Sequence, residues 1–186
     1  QGEKIVAVGQ TGTLSAQAGR TIDARGKIVI PGGIEPHAHI GIPVPEFWSG
    51  QADVMTQPPE AASRAAAFGG VTTIIDFAGD LSFAESSGQE PRSIMEVIDE
   101  RREVFRTHSY TDFAFHYILA GEVAPVTIGE IKEAIQAGVG SFKIFTTFHP
   151  IRVPYGHLWP IFEEVAKHGG IMAVHAEEDE IVRYMT

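Results

Sequence analysis

The sequence contains no cysteine, no long apolar run and comparatively few basic residues. The absence of cysteine excludes disulfides and thiolate metal sites, so any metal would be held by histidine, carboxylate or a rarer ligand. No apolar stretch approaches the roughly 18 residues that a membrane-spanning helix needs. Lysine and arginine number 14 against 24 aspartates and glutamates, a net charge of -10, which argues against nucleic acid or an anionic membrane as a partner.

Length and composition predict an ordinary folded protein. The 186 residues fit one domain or part of a larger one, and a hydrophobic fraction of 44% is enough to build a core. The chain begins with Gln1 rather than methionine and lacks a basic region followed by an apolar stretch. This start predicts a trimmed N-terminus, no signal peptide and a cytoplasmic location.

Residues 1–30 have a pattern that differs from the rest. Short apolar runs at 4–8, 21–23 and 27–30 alternate with glycines. Runs of β-branched residues between turn-forming glycines are typical of short strands. A small β-element is therefore predicted before the main domain.

From residue 31 onward, strands and helices alternate. Strands are predicted at 34–40, 71–77, 113–119, 141–147 and 171–175, and helices at 60–68, 93–108, 127–138, 155–168 and from 177. The spacing of Thr127 and Glu130 suits a capping box at the start of the third of these helices. Such alternation predicts a parallel sheet, which fits either a doubly wound fold or a (β/α)8 barrel. Polar residues at the ends of several strands favour the barrel, because a barrel brings those ends together at one face.

His37 and His39 are separated by one residue on the first predicted strand, after a turn at Gly32 and Gly33. Alternate residues of a strand point to the same face, so both imidazoles can reach one metal ion. The pair also suits a structural role, since half-buried histidines are common.

Lys143 lies in the otherwise apolar strand from Ser141 to Phe145. Burial would lower the pKa of the lysine and free its amine. A free amine can react with carbon dioxide to give a carbamate, an anion able to bridge two metal ions. The alternative is that the side chain extends along the strand edge to water.

Two further side chains end predicted strands. His175 ends the fifth strand, where sites of parallel α/β proteins gather, although a structural histidine fits equally well. Asp76 ends the second and is a candidate to support a metal ligand, with capping or solvent exposure as the alternative. His37, His39, Lys143 and His175 together would supply nitrogen and oxygen ligands suited to zinc.

Four segments resemble the cyclic amidohydrolases, nearest to the dihydropyrimidinase and hydantoinase branch. The segments are 26–39, 69–77, 141–143 and 174–177, and the resemblance extends over essentially the whole chain. It implies a partial (β/α)8 barrel of about five βα units. Residues 1–30 would then be the N-terminal part of a small β-sandwich domain, and residues 31–186 the N-terminal portion of the barrel.

The resemblance also implies a binuclear metal centre, usually zinc, that opens hydantoin or dihydropyrimidine rings. His37 and His39 would bind the more buried ion, carboxylated Lys143 would bridge both ions, and His175 would bind the more exposed one. A hydroxide shared by the metals would attack the amide carbonyl. The family's fourth metal histidine and its catalytic aspartate would lie beyond Thr186. No catalytic residue is therefore assigned within the chain, which is expected to be weakly active or inactive alone.

Phe148 departs from the pattern, because the branch usually has an oxyanion-stabilising tyrosine five residues after the lysine. Phenylalanine has no hydroxyl, so a contribution of roughly 3 kcal/mol would be missing. This departure keeps open a non-catalytic dihydropyrimidinase-related scaffold or assembly protein. A dihydroorotase or allantoinase type of hydrolase is a further alternative. The expected partners are a small cyclic amide and, because an incomplete barrel has open strand edges, further copies of the chain in a homo-oligomer.

Overall fold

Five strands form one parallel sheet in chain order. The computed structural model describes residues 4–10, 12–13, 19–44, 46–81 and 91–185, and the chain divides into two units, 1–31 and 32–186. The strands are β1 (Gly33–Ala38), β2 (Val71–Ala78), β3 (Asp112–Ile118), β4 (Ser141–Phe145) and β5 (Ile171–His175). A doubly wound sheet would reverse its strand order, whereas sequential order is that of a (β/α)8 barrel. The predicted partial barrel is confirmed.

Helices alternate with the strands, as predicted. Those in the described parts of the chain are α1 (Glu46–Ser49), α2 (Pro59–Phe68), α3 (Ile94–His108), α4 (Pro125–Gln136), α5 (Tyr155–Lys167) and, after β5, α6 (Asp179–Met185). Within the described ranges, no helix has the length and apolar character required to cross a membrane.

The main core lies between these helices and the outer face of the sheet. On α3 a buried stripe runs along one side of the helix through Ile94, Val97, Ile98 and Phe105, the spacing of an amphipathic helix. This stripe packs with outward side chains of the strands, among them Ile74 of β2. Packing of the helices therefore holds the strands in position, and the candidate ligands lie on these strands or directly after them.

A smaller apolar cluster occupies the inner face of the sheet. Phe77, Ile118 and Phe145 pack together at the ends of β2, β3 and β4. Successive residues of a strand point to opposite faces, so the neighbours of these residues serve the outer core. The inner cluster is the surface against which the candidate site is built.

The capping box predicted at Thr127 is wrong. Helix α4 begins two residues earlier, at Pro125, and has no side-chain cap. Proline is favoured at the first helical position because its fixed φ suits the helix and its missing N–H leaves no unpaired donor there. Thr127 is buried in the first turn, and the Glu130 carboxylate instead accepts a hydrogen bond of 2.7 Å from the Ile94 N–H at the start of α3.

The strands predicted in residues 1–30 are not observed among the described residues of that unit. The Thr13 N–H donates to the Gln10 carbonyl and the Lys27 N–H to the Ala24 carbonyl, and Gly12 and Gly26 have positive φ, as the glycines predicted. The apolar runs before and after these turns stay exposed, with Ile5 at 87% and Ile28 at 90%. A strand needs a neighbouring strand and a face to bury, and the described residues of this unit form no strand pair. Assignment of this segment to a β-sandwich domain remains a prediction.

Candidate metal centre

His37 and His39 lie on one face of the end of β1, as their spacing predicts. Their ring centroids are 5.3 Å apart. The ring of Phe77 on β2 supports both, at 4.7 Å from His37 and 4.6 Å from His39, and is nearly parallel to the His39 ring with an interplanar angle of 17°. The inner apolar cluster therefore orients the two imidazoles while leaving them exposed to solvent.

A carbonyl in an irregular stretch of β1 is bonded by a histidine of β3. The pairing of β1 with β2 is irregular between Glu35 and Ala38. The Pro36 carbonyl in this stretch accepts a hydrogen bond from Nε2 of His116 at 2.8 Å. Nδ1 of the same ring forms a hydrogen bond of 2.6 Å with the Ser141 hydroxyl. His116 on β3 thus connects β1 to β4, a role that a lone histidine in the sequence does not reveal.

Lys143 is buried in the inner face of β4. It is 7% exposed, and its Nζ lies 4.9 Å from the centroid of the Phe145 ring. Among the described residues no carboxylate pairs with it. Loss of water around the ammonium group lowers the pKa of Lys143. A lower pKa increases the fraction of free amine, which is the form that reacts with carbon dioxide.

His175 ends β5 directly opposite Phe145 of β4. Its Nε2 lies 2.6 Å from a Glu177 carboxylate oxygen, and its ring centroid is 4.9 Å from that of Phe148. The Thr146 hydroxyl holds the following loop, donating to the carbonyls of His175 at 3.0 Å and Glu177 at 2.6 Å. The Glu177 contact leaves Nδ1 as the nitrogen available to a further ligand.

Electrostatic interactions link three of the four candidate ligands. Burial is the main cause that lowers the pKa of His37, followed by the positive charge of Lys143 and then that of His116. The pKa of His39 is lowered by burial, then by His37 and Lys143. Both shifts favour the neutral imidazole, the protonation state that binds a metal.

Asp76 does not face the imidazoles. It is fully buried on the helix side of β2, where its carboxylate pairs with Arg101 of α3. Burial raises the pKa of Asp76, and the nearby guanidinium opposes that shift. Its connection to the candidate centre runs through a hydrogen bond to the backbone of Ile40. Arg101 has a sequence signal, because it stands seven residues after Ile94 and four before Phe105, on the buried stripe of α3.

The donor set fits a metal only when Lys143 is included. Across the described parts of the chain, no three histidine, aspartate or glutamate side chains come together in a cluster that could hold an ion. His37 and His39 supply two nitrogens, and a carbamate on Lys143 would add oxygens, a mixture that suits zinc. His175 is linked to this group through the ring of Phe145, which contacts both His175 and Lys143.

Comparison with known proteins identifies the relatives of this fold and sequence. No family model matches the chain. A D-hydantoinase of Streptomyces coelicolor is 33% identical over 178 residues, which are 94% of this chain and 35% of the relative. A dihydropyrimidinase of Rattus norvegicus is 30% identical over 165 residues, covering 88% of this chain and 29% of the relative. The solved D-hydantoinase from a Bacillus sp. AR9 superposes with a TM-score of 0.84 at 30% identity, covering 100% of this chain and 37% of that one.

The chain belongs to the cyclic amidohydrolases, in their hydantoinase branch. It spans about a third of the length of the curated relatives it matches. The superposition covers the whole chain, so the five strands of this cyclic amidohydrolase correspond to strands of a hydantoinase structure. The roles of His37, His39, Lys143, His175 and Asp76 in it remain predictions.

Proposed function

We propose that this chain provides part of the metal centre of a hydrolase that opens cyclic amide rings of the hydantoin or dihydropyrimidine type. His37 and His39 would hold one divalent ion, zinc in the first instance. Lys143, carboxylated, would bridge it to a second ion, and His175 would bind that second ion. When bound, the ions supply Lewis-acid polarisation of the amide carbonyl and an activated water.

The buried amine of Lys143 is the observation that carries this proposal. A lysine without a carboxylate partner is costly to bury, and here its neighbours on the inner face are Phe145 and, through electrostatics, His37 and His39. Conversion of the amine to a carbamate would replace a desolvated cation with an anion facing two neutral imidazoles. That anion would in turn be stabilised by the metal ions, which would account for the proximity of Lys143 to His37 and His39.

Metal analysis of the chain tests the proposal directly. After expression in zinc-supplemented medium, the purified chain is expected to retain zinc, measured by inductively coupled plasma mass spectrometry. A His37→Asn, His39→Asn double variant, which removes both imidazoles and is checked for folding by circular dichroism, should lose it. Ring opening is then assayed with hydantoin, dihydrouracil, dihydroorotate and allantoin, using the protein that carries this chain over its full encoded length. A metal-free wild-type chain, or turnover that a chelator leaves unchanged, would contradict the proposal.

A non-catalytic scaffold is the second candidate, and Phe148 is the observation that favours it. Phe148 is half-buried, lies beside His175 with 4.9 Å between ring centroids, and has a φ of 68°. It therefore occupies the border of the candidate centre without offering a hydrogen-bond donor from its side chain. A scaffold would tolerate this, whereas a hydrolase would have to stabilise the oxyanion in another way.

Phe148→Tyr separates the two candidates. A tyrosine hydroxyl beside His175 would add an oxyanion donor, and one such donor is worth on the order of 100-fold in kcat. Turnover of the ring substrates is therefore expected to rise, measured at saturating substrate. Phe68→Tyr is the matched control, since Phe68 is 86% exposed at the end of α2. Undetectable turnover in both wild type and Phe148→Tyr would favour the scaffold.

A further inference from the structure

A buried ion pair holds the residue that follows the His-x-His pair. Asp76 is fully buried, and the side chain of Arg101 is 13% exposed. One oxygen of Asp76 accepts a hydrogen bond of 3.0 Å from the Ile40 N–H, and the other accepts from Nε of Arg101 at 3.0 Å. Nη2 of Arg101 also donates to the Ile40 carbonyl. The pair therefore satisfies both backbone polar groups of one residue.

Ile40 needs this arrangement because it lies beyond the end of its strand. Strand β1 ends at Ala38, which pairs with Asp76 of β2, and Ile40 is 5% exposed. Buried backbone N–H and carbonyl groups require partners, and here a carboxylate from the next strand and a guanidinium from α3 replace the strand ladder. Since Ile40 is bonded to His39, its position determines the backbone that carries the second imidazole.

Consecutive residues of β2 thus hold His39 from two sides of the sheet. Asp76 points outward and fixes the peptide after His39, whereas Phe77 points inward and stacks on the His39 ring at 4.6 Å. The backbone and the ring are constrained separately.

We propose that Arg101 and Asp76 are positioning residues that set the orientation of His39 for metal binding. This inference rests on the proposed function, because orientation matters only if His39 is a ligand. The planar guanidinium of Arg101 is essential to this arrangement, because its N–H groups donate to Asp76 and to the Ile40 carbonyl at once. A lysine ammonium is a compact charge and lacks this planar geometry. Groups that orient metal ligands typically contribute ten-fold or more to metal affinity.

Arg101→Lys is the decisive variant, and Arg102→Lys is its control. The first keeps a positive charge opposite Asp76 but loses the double contact. The second changes the next residue of α3, whose exposed side chain pairs with Asp99. Cobalt(II) is titrated into each metal-free chain and followed by its ligand-field absorption, with circular dichroism as the measure of folding. Arg101→Lys is expected to stay folded and to bind cobalt about ten-fold more weakly, with Arg102→Lys equal to wild type. Asp76→Asn replaces Arg101→Lys if the latter does not fold.

Imidazole nitrogen–proton NMR spectra of the metal-free chains provide a readout that does not depend on metal. The His39 signals are expected to shift in Arg101→Lys and to stay unchanged in Arg102→Lys. Unchanged His39 signals or unchanged cobalt affinity in Arg101→Lys would overturn the inference, as would unfolding of both Arg101→Lys and Asp76→Asn. Shifted His39 signals in a chain whose wild type binds no cobalt would instead overturn the proposed function and leave the positioning of His39 supported.

Discussion

Lys143→Ala is expected to abolish binding of the bridged metal pair and to reduce ring-opening activity by at least roughly a thousand-fold. The carbamate would be the ligand shared by both ions, so its loss would remove the metal polarisation of the substrate. That polarisation stabilises the transition state by several kcal/mol, and each 1.36 kcal/mol corresponds to a ten-fold change in rate. Metal stoichiometry of the purified chain and kcat of the full protein measure the two effects. The substitution also removes a desolvated amine from the inner face, so the fold should be retained.

Lys132→Ala is the control for this prediction, because Lys132 is an exposed lysine on α4. A short carboxylic acid such as propionate should restore part of the metal binding to Lys143→Ala, since it can occupy the emptied space and supply the missing oxygens. It should have no effect on the control. Unchanged metal content in Lys143→Ala would exclude the assigned role of the lysine.

Arg101→Met is expected to lower the free energy of unfolding by about 3–5 kcal/mol, because it leaves the carboxylate of Asp76 buried without its partner. The loss should depend on pH. Burial already raises the pKa of Asp76 from 3.8, and removal of the guanidinium takes away the main opposing influence. Between pH 3.8 and the raised value, the folded variant holds a proton that the unfolded chain releases, so stability falls as pH rises through that interval.

Urea unfolding at several pH values measures this effect. The difference between wild type and Arg101→Met should be largest near pH 7. It should shrink as the pH is lowered through the raised pKa of Asp76 toward the unfolded value of 3.8, because the buried carboxyl of the folded variant takes up a proton over that interval. Arg102→Met, which removes an exposed ion pair with Asp99, should cost no more than about 1 kcal/mol at any pH. A loss for Arg101→Met as small as that, or one independent of pH, would be inconsistent with a buried charge left unpaired.

Local sequence patterns predicted the order of the elements and the face on which His37 and His39 lie. Such patterns suffice because side-chain direction repeats every two residues in a strand and every 3.6 residues in a helix, so nearby residues alone reveal the element. Local patterns were less informative where a segment's structure depends on contacts with another part of the chain or on which residue starts a helix. The apolar runs of residues 4–8 and 27–30 have the composition of strands but form no strand in the structure. The start of α4 was decided by Pro125 rather than by Thr127.

The sequence by itself therefore determined the alternation of strands and helices, the resemblance to the cyclic amidohydrolases and the candidate ligands at the strand ends. Only the tertiary structure decided how those ligands are supported. Arg101 reaches Ile40 across 61 positions of the chain, and His116 reaches Pro36 across 80. Contacts over such separations follow from the pairing of the strands in the sheet and the packing of α3 against it, which no local pattern encodes. Both contacts are hydrogen bonds to backbone carbonyls, which every residue type has. The residue types of Ile40 and Pro36 therefore gave no sign of them.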